Sequence, residues 1–345
     1  MGLERKKLNV LTHSSVACFR RCPREYKYRY VMLRRVRAGD EAPALKFGTL
    51  MHAAMAEWWK HRIGGAAGCA LDMGLRPLCG QGDPYERAKA QELLIAYDAY
   101  WDDSPLGTHL HVIGVRVEQE FAAPILSPLG KPSLRYVYAG KVDAVVTALV
   151  QPDRLTQLVV EHKTTSEDPS PETHYWEMAA VMDPQVTGYL DAYPGAEMLY
   201  DVIRKVDLRP GKATPEDRRK YRKDGGLIAS QRAEDETPEE YQVRVREEIK
   251  GHPEKYFHRG RIVRLSRDSA QHRADLWLTC LLIDDALEVD GFVRHPHSCV
   301  RYSRLCEYFD VCSGQTSIDS DDRFRTADRP HEELSAEISE KGEGA

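Results

Sequence analysis

The sequence predicts an α/β protein, and three observations carry that prediction. Two runs rich in apolar and β-branched residues, Arg135 to Val146 and Leu155 to Lys163, follow one another across a polar turn, as hairpin strands do. A third strand-type run, Met198 to Val206 (MLYDVIRKV), comes after a helical stretch. Segments with apolar residues at helical spacing, 85–104 and 267–290, lie before and after these strands. A chain of 345 residues can form one large domain or two ordinary ones, with a sizeable core.

From the N-terminus, residues 1–10 are charged and read as a flexible basic segment. In the next stretch, VACFRRCPREYKYRYVML, Thr12 or Ser14 can cap a helix and Pro23 suits a turn or a helix start. There Arg20, Arg21, Arg24, Lys27 and Arg29 interleave with Phe19, Tyr26, Tyr28 and Tyr30. Cations can meet phosphates and rings can stack on bases. An amphipathic helix with its rings in the core and its charges in water explains the same residues at least as well. Phe47-Gly48-Thr49 leads into a helix, LMHAAMAEWWKHRI, capped near Thr49 with His52 in its first turn.

Residues 62–84 read as a loop with irregular helix, 85–104 as a helix, and 110–124 as a strand ending in a turn at Ser127-Pro128-Leu129-Gly130. Beyond the central pair, 171–194 is helical, with Pro184 marking a helix start. Gln185 and Tyr189, four apart, share a helical face. Composition shifts at Asp207, so 204–257 is expected to be a charged, partly mobile inserted arm in which Thr237-Pro238-Glu239-Glu240 opens a helix. Residues 258–265 read as a returning strand. The acidic, Ser-rich stretch 316–345 is expected to be a disordered tail. The expected core is thus 11–203 with 258–315.

The formal net charge of -5 argues against a generic binder of polyanions, but it averages two unlike ends. Met1 to Asp40 holds eleven Lys/Arg against three Asp/Glu, and Thr316 to Ala345 holds nine acidic against four basic residues. No apolar run is long enough to span a bilayer, and MGLERKKLNV lacks the apolar core of a signal peptide. The expectation is a soluble cytoplasmic protein with no membrane partner. Eight cysteines in a reducing compartment then stand as buried thiols or ligands rather than as a disulfide framework.

The candidate site lies on the central pair. Asp143 sits on the first strand, and Glu161 and Lys163 on the second with His162 between them. A period of two projects Glu161 and Lys163 to one face. Two carboxylates and a lysine suit a hard divalent cation, Mg²⁺ or Mn²⁺, and an attacked phosphate. Phosphodiesters resist attack because their charge repels nucleophiles. A cation held by Asp143 and Glu161 would neutralise that charge and acidify a bound water, and Lys163 would orient the water or stabilise the pentacovalent phosphate. The main-chain carbonyl of His162 is placed to reach the same metal. An isolated GxxD or ExK arises often by chance. The apolar runs Tyr136–Val142 and Leu158–Val160 ahead of the motifs favour the site, because buried strand ends rarely carry unpaired carboxylates.

In this order, GKVDAV and VVEHKTT resemble the PD-(D/E)XK nuclease superfamily, specifically its RecB-like exonuclease branch, which includes the AddB nuclease and the CRISPR-associated adaptation nucleases. His52 in FGTLMH matches the branch's helix histidine that reaches the metal. Gln185-Val-Thr-Gly-Tyr189 matches its QxxxY motif, which contacts nucleic acid near the metal. Cys22-Pro23 with its following aromatics matches the CPxxY element, and a C-terminal cysteine cluster completes the likeness. The first acidic residue follows Val142 rather than proline, and the charged insert lies outside the pattern. The resemblance implies a restriction-endonuclease-like fold: a mixed central sheet flanked by helices, with a helical iron–sulfur region formed by both chain ends. It implies His52, Asp143 and Glu161 as metal ligands, Lys163 as the catalytic lysine, and Gln185 and Tyr189 on the DNA strand. Arg20, Arg21 and Arg24 would face backbone phosphates.

Cys299, Cys306 and Cys312 form C-x6-C-x5-C, a spacing that points to a metal or cluster. The resemblance supplies Cys22 as fourth ligand and implies a 4Fe-4S cluster clamping the two ends. Zinc on the same thiolates is the rival, with His295 or His297 able to replace a thiol and Cys18 able to compete with Cys22. The expected function is a metal-dependent deoxyribonuclease. An exonuclease on single-stranded DNA or free ends fits best, serving recombination, repair or phage or CRISPR DNA metabolism, alone or with a helicase, recombinase or CRISPR adaptation partner. The alternative is a noncatalytic iron–sulfur DNA-binding subunit.

Overall fold

Alternating apolar residues in the central runs feed two separate cores, one on each face of a six-stranded sheet. The computed structural model describes residues 9–37, 43–62, 67–80, 82–103, 110–150, 154–177, 181–301 and 304–340. Its N-terminal third contains β1 (Asn9–Leu11), α1 (His13–Arg21), α2 (Pro23–Tyr26), β2 (Arg34–Val36), α3 (Pro43–Lys60), α4 (Ala67–Leu75) and α5 (Pro84–Asp103). Then come β3 (Leu110–Leu126), β4 (Pro132–Val150), β5 (Arg154–Thr165), α6 (Pro184–Ala192) and β6 (Glu197–Arg204). The chain continues through α7 (Pro238–Gly251), β7 (Phe257–Ile262), α8 (Ser266–Glu288), β8 (Val300–Arg301), β9 (Arg304–Leu305), α9 (Phe309–Cys312), β10 (Phe324–Thr326) and α10 (Ala336–Glu340). Among the described residues, no helix is long and apolar enough to cross a membrane.

The sheet runs β1-β4-β5-β6-β7, with β3 also on β4. It is mixed: β1 on β4 and β5 on β6 are parallel, and the other pairings are antiparallel. The antiparallel partner β3 takes one side of β4 along most of its length, from Val137 to Val150. The other side is shared. There β1 pairs with Tyr136 to Tyr138 and β5 with Ala144 to Val150. Between them, at Ala139–Asp143, β4 has a strand on one side only among the described residues.

On one face, α3 and α5 pack Trp58, Trp59, Leu94 and Tyr97 over Leu158, Val160, Leu199 and Ile203. On the other, α6 sets Val186, Tyr189 and Leu190 over Val142, Val159, Tyr200 and Val202. A further core joins α1 to α8 through Phe19, Leu276, Cys280 and Ile283. Cys280 is the core thiol its helical position implies. Helix α1 is capped by Thr12 rather than Ser14: Ser15 N donates to Thr12 Oγ1 at 3.2 Å, and Ser15 Oγ accepts from Thr12 N at 2.9 Å.

Several expectations change. Helix α3 begins at Pro43, not near Thr49, so His52 lies in mid-helix rather than in the first turn. The loop with irregular helix expected over 62–84 contains α4, and of the stretch expected to be helical over 171–194, residues 175–177 and α6 are helical among the described residues. The insert, expected to be partly mobile, contributes a core helix. Tyr241, Val245 and Ile249 of α7 are fully buried against α5, and Gln242 and Arg246 both bond the buried Glu92 carboxylate at 2.7–2.8 Å. Thr237 caps α7 in a box with Glu240, as the sequence implies.

The disordered acidic tail is corrected for residues 316–340. Strand β10 pairs with β2, and Phe324, Ala327 and Leu334 are buried. His331 Nε2 meets the Val10 carbonyl at 2.9 Å. Acidic composition hid these few apolar anchors, whose partners lie at the opposite end of the chain. Residues 1–8 of the expected flexible N-terminus and 341–345 of the tail lie outside the described residues. Phe324 stacks on Tyr308 with rings 5.7 Å apart and is fully buried. Phe324→Ala should therefore lower stability by about 3 kcal/mol. The urea midpoint reads this at unchanged slope; an unshifted midpoint would show that the C-terminal segment adds nothing to the fold.

Candidate active site

The open side of β4 is where the candidate residues meet. Where β5 leaves β4, the Asp143 carboxylate takes over part of the ladder: His162 N donates to Asp143 Oδ2 at 2.7 Å. From α3, His52 Nδ1 reaches Asp143 Oδ1 at 3.0 Å. The main-chain carbonyl of Lys141, in the same open stretch, accepts from Tyr189 Oη of α6 at 3.0 Å. Helix α6 can come this close because Gly188 lacks a side chain; a Cβ there would lie 2.7 Å from Tyr138 Oη. A Cβ on Gly140 would likewise lie 2.9 Å from the Phe121 ring.

A second chain of bonds fixes the lysine. Lys163 Nζ donates to Glu161 Oε1 at 2.6 Å and to Gln185 Oε1 at 2.7 Å. Gln185 Nε2 in turn donates to Tyr189 Oη at 2.9 Å. Asp183 caps α6 by accepting from Gln185 N at 2.8 Å, which sets the start of the helix carrying both residues. The structure thus brings Asp143, Glu161, Lys163, His52, Gln185 and Tyr189 to one place. His52 and Lys163 are each about a third exposed, whereas Glu161 is almost fully covered.

The electrostatics separate the two carboxylates. Burial opposes the charged form of Asp143, but the His52 side chain and the His162 ring and N–H outweigh it and hold the carboxyl down at about 2. Glu161 moves the other way: burial, helped by the Asp143 charge, raises it against the pull of Lys163. Burial disfavours the Lys163 ammonium, yet Glu161 holds its pKa above the ordinary value. His52 is raised likewise, its burial outweighed by Asp143. The donors are carboxylate oxygens and an imidazole, a set that suits Mg²⁺ or Mn²⁺. Among the described residues, no three or more His, Cys, Asp or Glu side chains are gathered as a metal cage. Glu161 is turned onto Lys163, and Asp143 onto His52 and the His162 N–H.

Beneath this layer lies a buried charge network that the sequence reading missed. His162 points to the opposite face, with Nδ1 3.0 Å from Asp201 Oδ2 of β6. Asp201 accepts from Arg259 Nε of β7 at 3.1 Å and from the Tyr97 hydroxyl. Arg259 stacks 4.2 Å over the Trp101 ring. Both charges are fully buried. The signal was available: Asp201 interrupts an otherwise apolar strand run, and such a residue requires a partner.

The arginines and cysteines lie to one side. Arg20 Nε donates to Thr279 Oγ1 at 3.0 Å, Arg21 pairs with Glu25, and Arg24 Nε donates to the Phe292 carbonyl at 2.8 Å. Arg21 and Arg24 are thus engaged within the protein rather than brought to the carboxylates. Cys299 and Cys306 face across the short β8–β9 pair, where Cys306 N donates to Cys299 O at 2.7 Å. Ser298 Oγ donates to Arg21 O at 3.0 Å, and Arg294 donates to Cys312 O at 3.0 Å. The Ser298 bond ties the C-terminal cysteine segment to the residue before Cys22, and the Arg294 bond holds Cys312 within that segment. Burial pushes the Cys306 thiol up to about 12, and Cys22 adds to that shift.

Because the Asp201–Arg259 pair lacks solvent, removing one member strands the other. Arg259→Ala should cost about 3–5 kcal/mol in urea unfolding. A loss well under 1 kcal/mol, the range of exposed pairs, would mean that water compensates the carboxylate.

No curated protein matches the chain. The crystal structure of SSO0001 is similar at 14% sequence identity and a TM-score of 0.36, covering 80% of this chain and 78% of that one, a likeness that carries no argument about activity. The family model of the PD-(D/E)XK nuclease superfamily matches residues 10–313, which span β1, the open stretch of β4, the Glu161–Lys163 strand and the three C-terminal cysteines. The chain belongs to the PD-(D/E)XK nuclease superfamily.

Proposed function

We propose that this protein is a divalent-metal-dependent deoxyribonuclease of the RecB-like branch, acting as an exonuclease on DNA ends. The observation that carries the reading is the convergence of Asp143, Glu161, Lys163, His52 and the Gln185–Tyr189 pair on the open side of β4. Asp143, Glu161, His52 and the His162 carbonyl would hold Mg²⁺ or Mn²⁺. The ion would supply charge neutralisation at the phosphate and a more acidic water.

The chain's own contribution is positioning. Lys163 keeps its proton and is held at two points by Glu161 and Gln185, so its ammonium is oriented before substrate arrives. Gln185 and Tyr189 would align the strand while Tyr189 keeps its bond to β4. Recombination, repair or phage or CRISPR DNA metabolism is the setting this reading implies, in the cytoplasm, with a helicase, recombinase or CRISPR adaptation protein as partner. A noncatalytic DNA-binding subunit is the second reading, but the lysine's two-point anchoring between Glu161 and Gln185 favours catalysis.

The same reading assigns Cys22, Cys299, Cys306 and Cys312 to a 4Fe-4S cluster, with zinc as rival. Its support is the pair of bonds that the His295 ring and the Ser298 hydroxyl, just ahead of Cys299, make to the Arg21 carbonyl, beside Cys22. Two outcomes test these assignments. Lys163→Ala should reduce Mn²⁺-dependent cleavage of end-labelled DNA by at least about a hundredfold while the variant stays folded; undiminished degradation would reject the lysine's role. Anaerobically prepared protein should absorb in the visible, and Cys306→Ser should lose that band and melt at a lower temperature. A colourless preparation with bound zinc would favour the rival, and an unchanged band in the variant would remove Cys306 from the ligand set.

A further inference from the structure

The charged insert after β6 is an ordered arm rooted beside the candidate site. Strands β5 and β6 run parallel and end together. The chain leaves the sheet where Lys205 N donates to Thr165 O at 2.7 Å, two residues past Lys163. The base of the arm is locked. Glu236 N donates to Gly211 O at 2.8 Å, and the buried Glu236 carboxylate accepts from Gly211 N at 2.6 Å and from Arg244 of α7 at 2.7 Å. Thr214 N donates to Arg232 O at 2.9 Å further out. Beyond that a hairpin closes. Tyr221 pairs antiparallel with Leu227, Arg222 N donates to Gly226 O at 2.7 Å, and Ile228 N donates to Lys220 O at 3.0 Å. Gly225, with φ +81°, takes the turn.

We propose that this hairpin is a contact surface for single-stranded DNA, in which Lys220, Arg222 and Lys223 hold backbone phosphates of the strand entering the candidate active site and Tyr221 stacks on one of its bases. The inference rests on the nuclease reading and deepens it. Residues 218–223, RRKYRK, set five cations around one ring. Arg219 is a strut, donating to Thr214 O at 2.9 Å and Ala233 O at 3.0 Å. The other four cations are exposed, and Tyr221 leaves 62% of its surface in solvent. Arg218 and Arg222 meet only exposed neighbours, Asp217 at 4.0 Å and Asp224 at 3.5 Å. Such pairs hold little free energy and yield to a phosphate. Main-chain bonds and Gln231, which bonds Lys220 N and Arg218 O, hold the hairpin, so it does not need its exposed cations to fold. Charge elsewhere points the same way. The chain carries -5 overall, and Arg21, Arg24, Arg29, Arg34 and Arg37 of the N-terminal segment are each bonded within the protein. Cations that track a backbone beside a ring that stacks on any base are what a single strand requires. Stacking on an exposed ring needs an unpaired base, which excludes intact duplex from this surface.

The test measures binding of the full chain to a fluorescently labelled oligothymidylate by anisotropy, in EDTA so that nothing is cut, from about 50 to 200 mM salt. The triple variant Lys220→Gln, Arg222→Gln, Lys223→Gln should bind roughly tenfold more weakly at the low-salt end. Its slope of log K against log salt should be shallower by about 2, the share of three phosphate contacts on a single strand. The charge-keeping triple variant Lys220→Arg, Arg222→Lys, Lys223→Arg should retain both values. Tyr221→Ala should weaken binding about fivefold or more and leave the slope alone. With Mn²⁺, the glutamine variant should raise KM for cleavage by a factor similar to its loss of affinity. Wild-type affinity and slope in the glutamine variant would overturn the assignment, leave the nuclease reading standing and give the hairpin to a protein partner instead. Equal loss in the glutamine and charge-keeping variants would also overturn it, since the effect would then be structural. Wild-type protein that shows the expected binding pattern but cuts no DNA with Mn²⁺ would overturn the nuclease reading and keep the hairpin as a DNA contact.

Discussion

The side of β4 that, among the described residues, has no strand between Tyr138 and Ala144 is the constraint on which the rest of the site depends. Backbone groups in a sheet interior demand partners, and an interrupted ladder leaves some of them open. Here side chains meet that demand. The Asp143 carboxylate binds the His162 N–H, and the Tyr189 hydroxyl binds the Lys141 carbonyl. The same atoms that repair the sheet therefore bring an acidic group and an aromatic helix residue into one cleft. Fold stability and site assembly share these bonds.

The cleft is stiffened from both faces of the sheet. On one face α6 fixes Lys163 through Gln185, and its own start is set by the Asp183 cap. On the other, His162 is backed by Asp201, Arg259 and Tyr97, a network buried from the protein surface. Adjacent residues on β5 thus serve opposite layers: Glu161 and Lys163 face the cleft, and His162 faces the core. Outer groups that orient the groups touching a metal or substrate matter nearly as much as those groups themselves. A neutral core under His162 would leave the β5 end freer to drift. The fully buried Asp201 and Arg259 are explained by that position as well as by mutual pairing.

The two chain ends form a second unit of the structure. Strand β2 near the N-terminus and β10 near the C-terminus pair, Tyr308 and Phe324 stack, and the cysteine segments are stitched to the residues around Cys22. Closing so long a loop is entropically expensive, which is why several independent contacts hold it. The basic head and acidic tail apparent in the composition also meet in this unit. Arg34 donates to the Ile318 carbonyl and pairs with Asp321 at 3.3 Å, and Arg37 donates to the Asp321 carbonyl. Much of the head's charge is thus answered within the protein before any nucleic acid is considered.

By itself, the sequence determined the local terms. Period-two runs marked the two central strands, Pro184 marked the start of α6, Thr237 and Glu240 marked the cap of α7, and residue order alone put Glu161 and Lys163 on one face. These signals are short-range, so a linear reading reaches them. Tertiary structure decided everything that rests on contacts between distant segments. It chose which side of β4 stays open, buried Asp201 against Arg259, drew α7 onto α5 through Glu92, and folded the acidic C-terminal stretch back onto β2. Each depends on a partner tens or hundreds of residues away, and no local propensity specifies which distant surface a buried charge or a lone apolar anchor will meet.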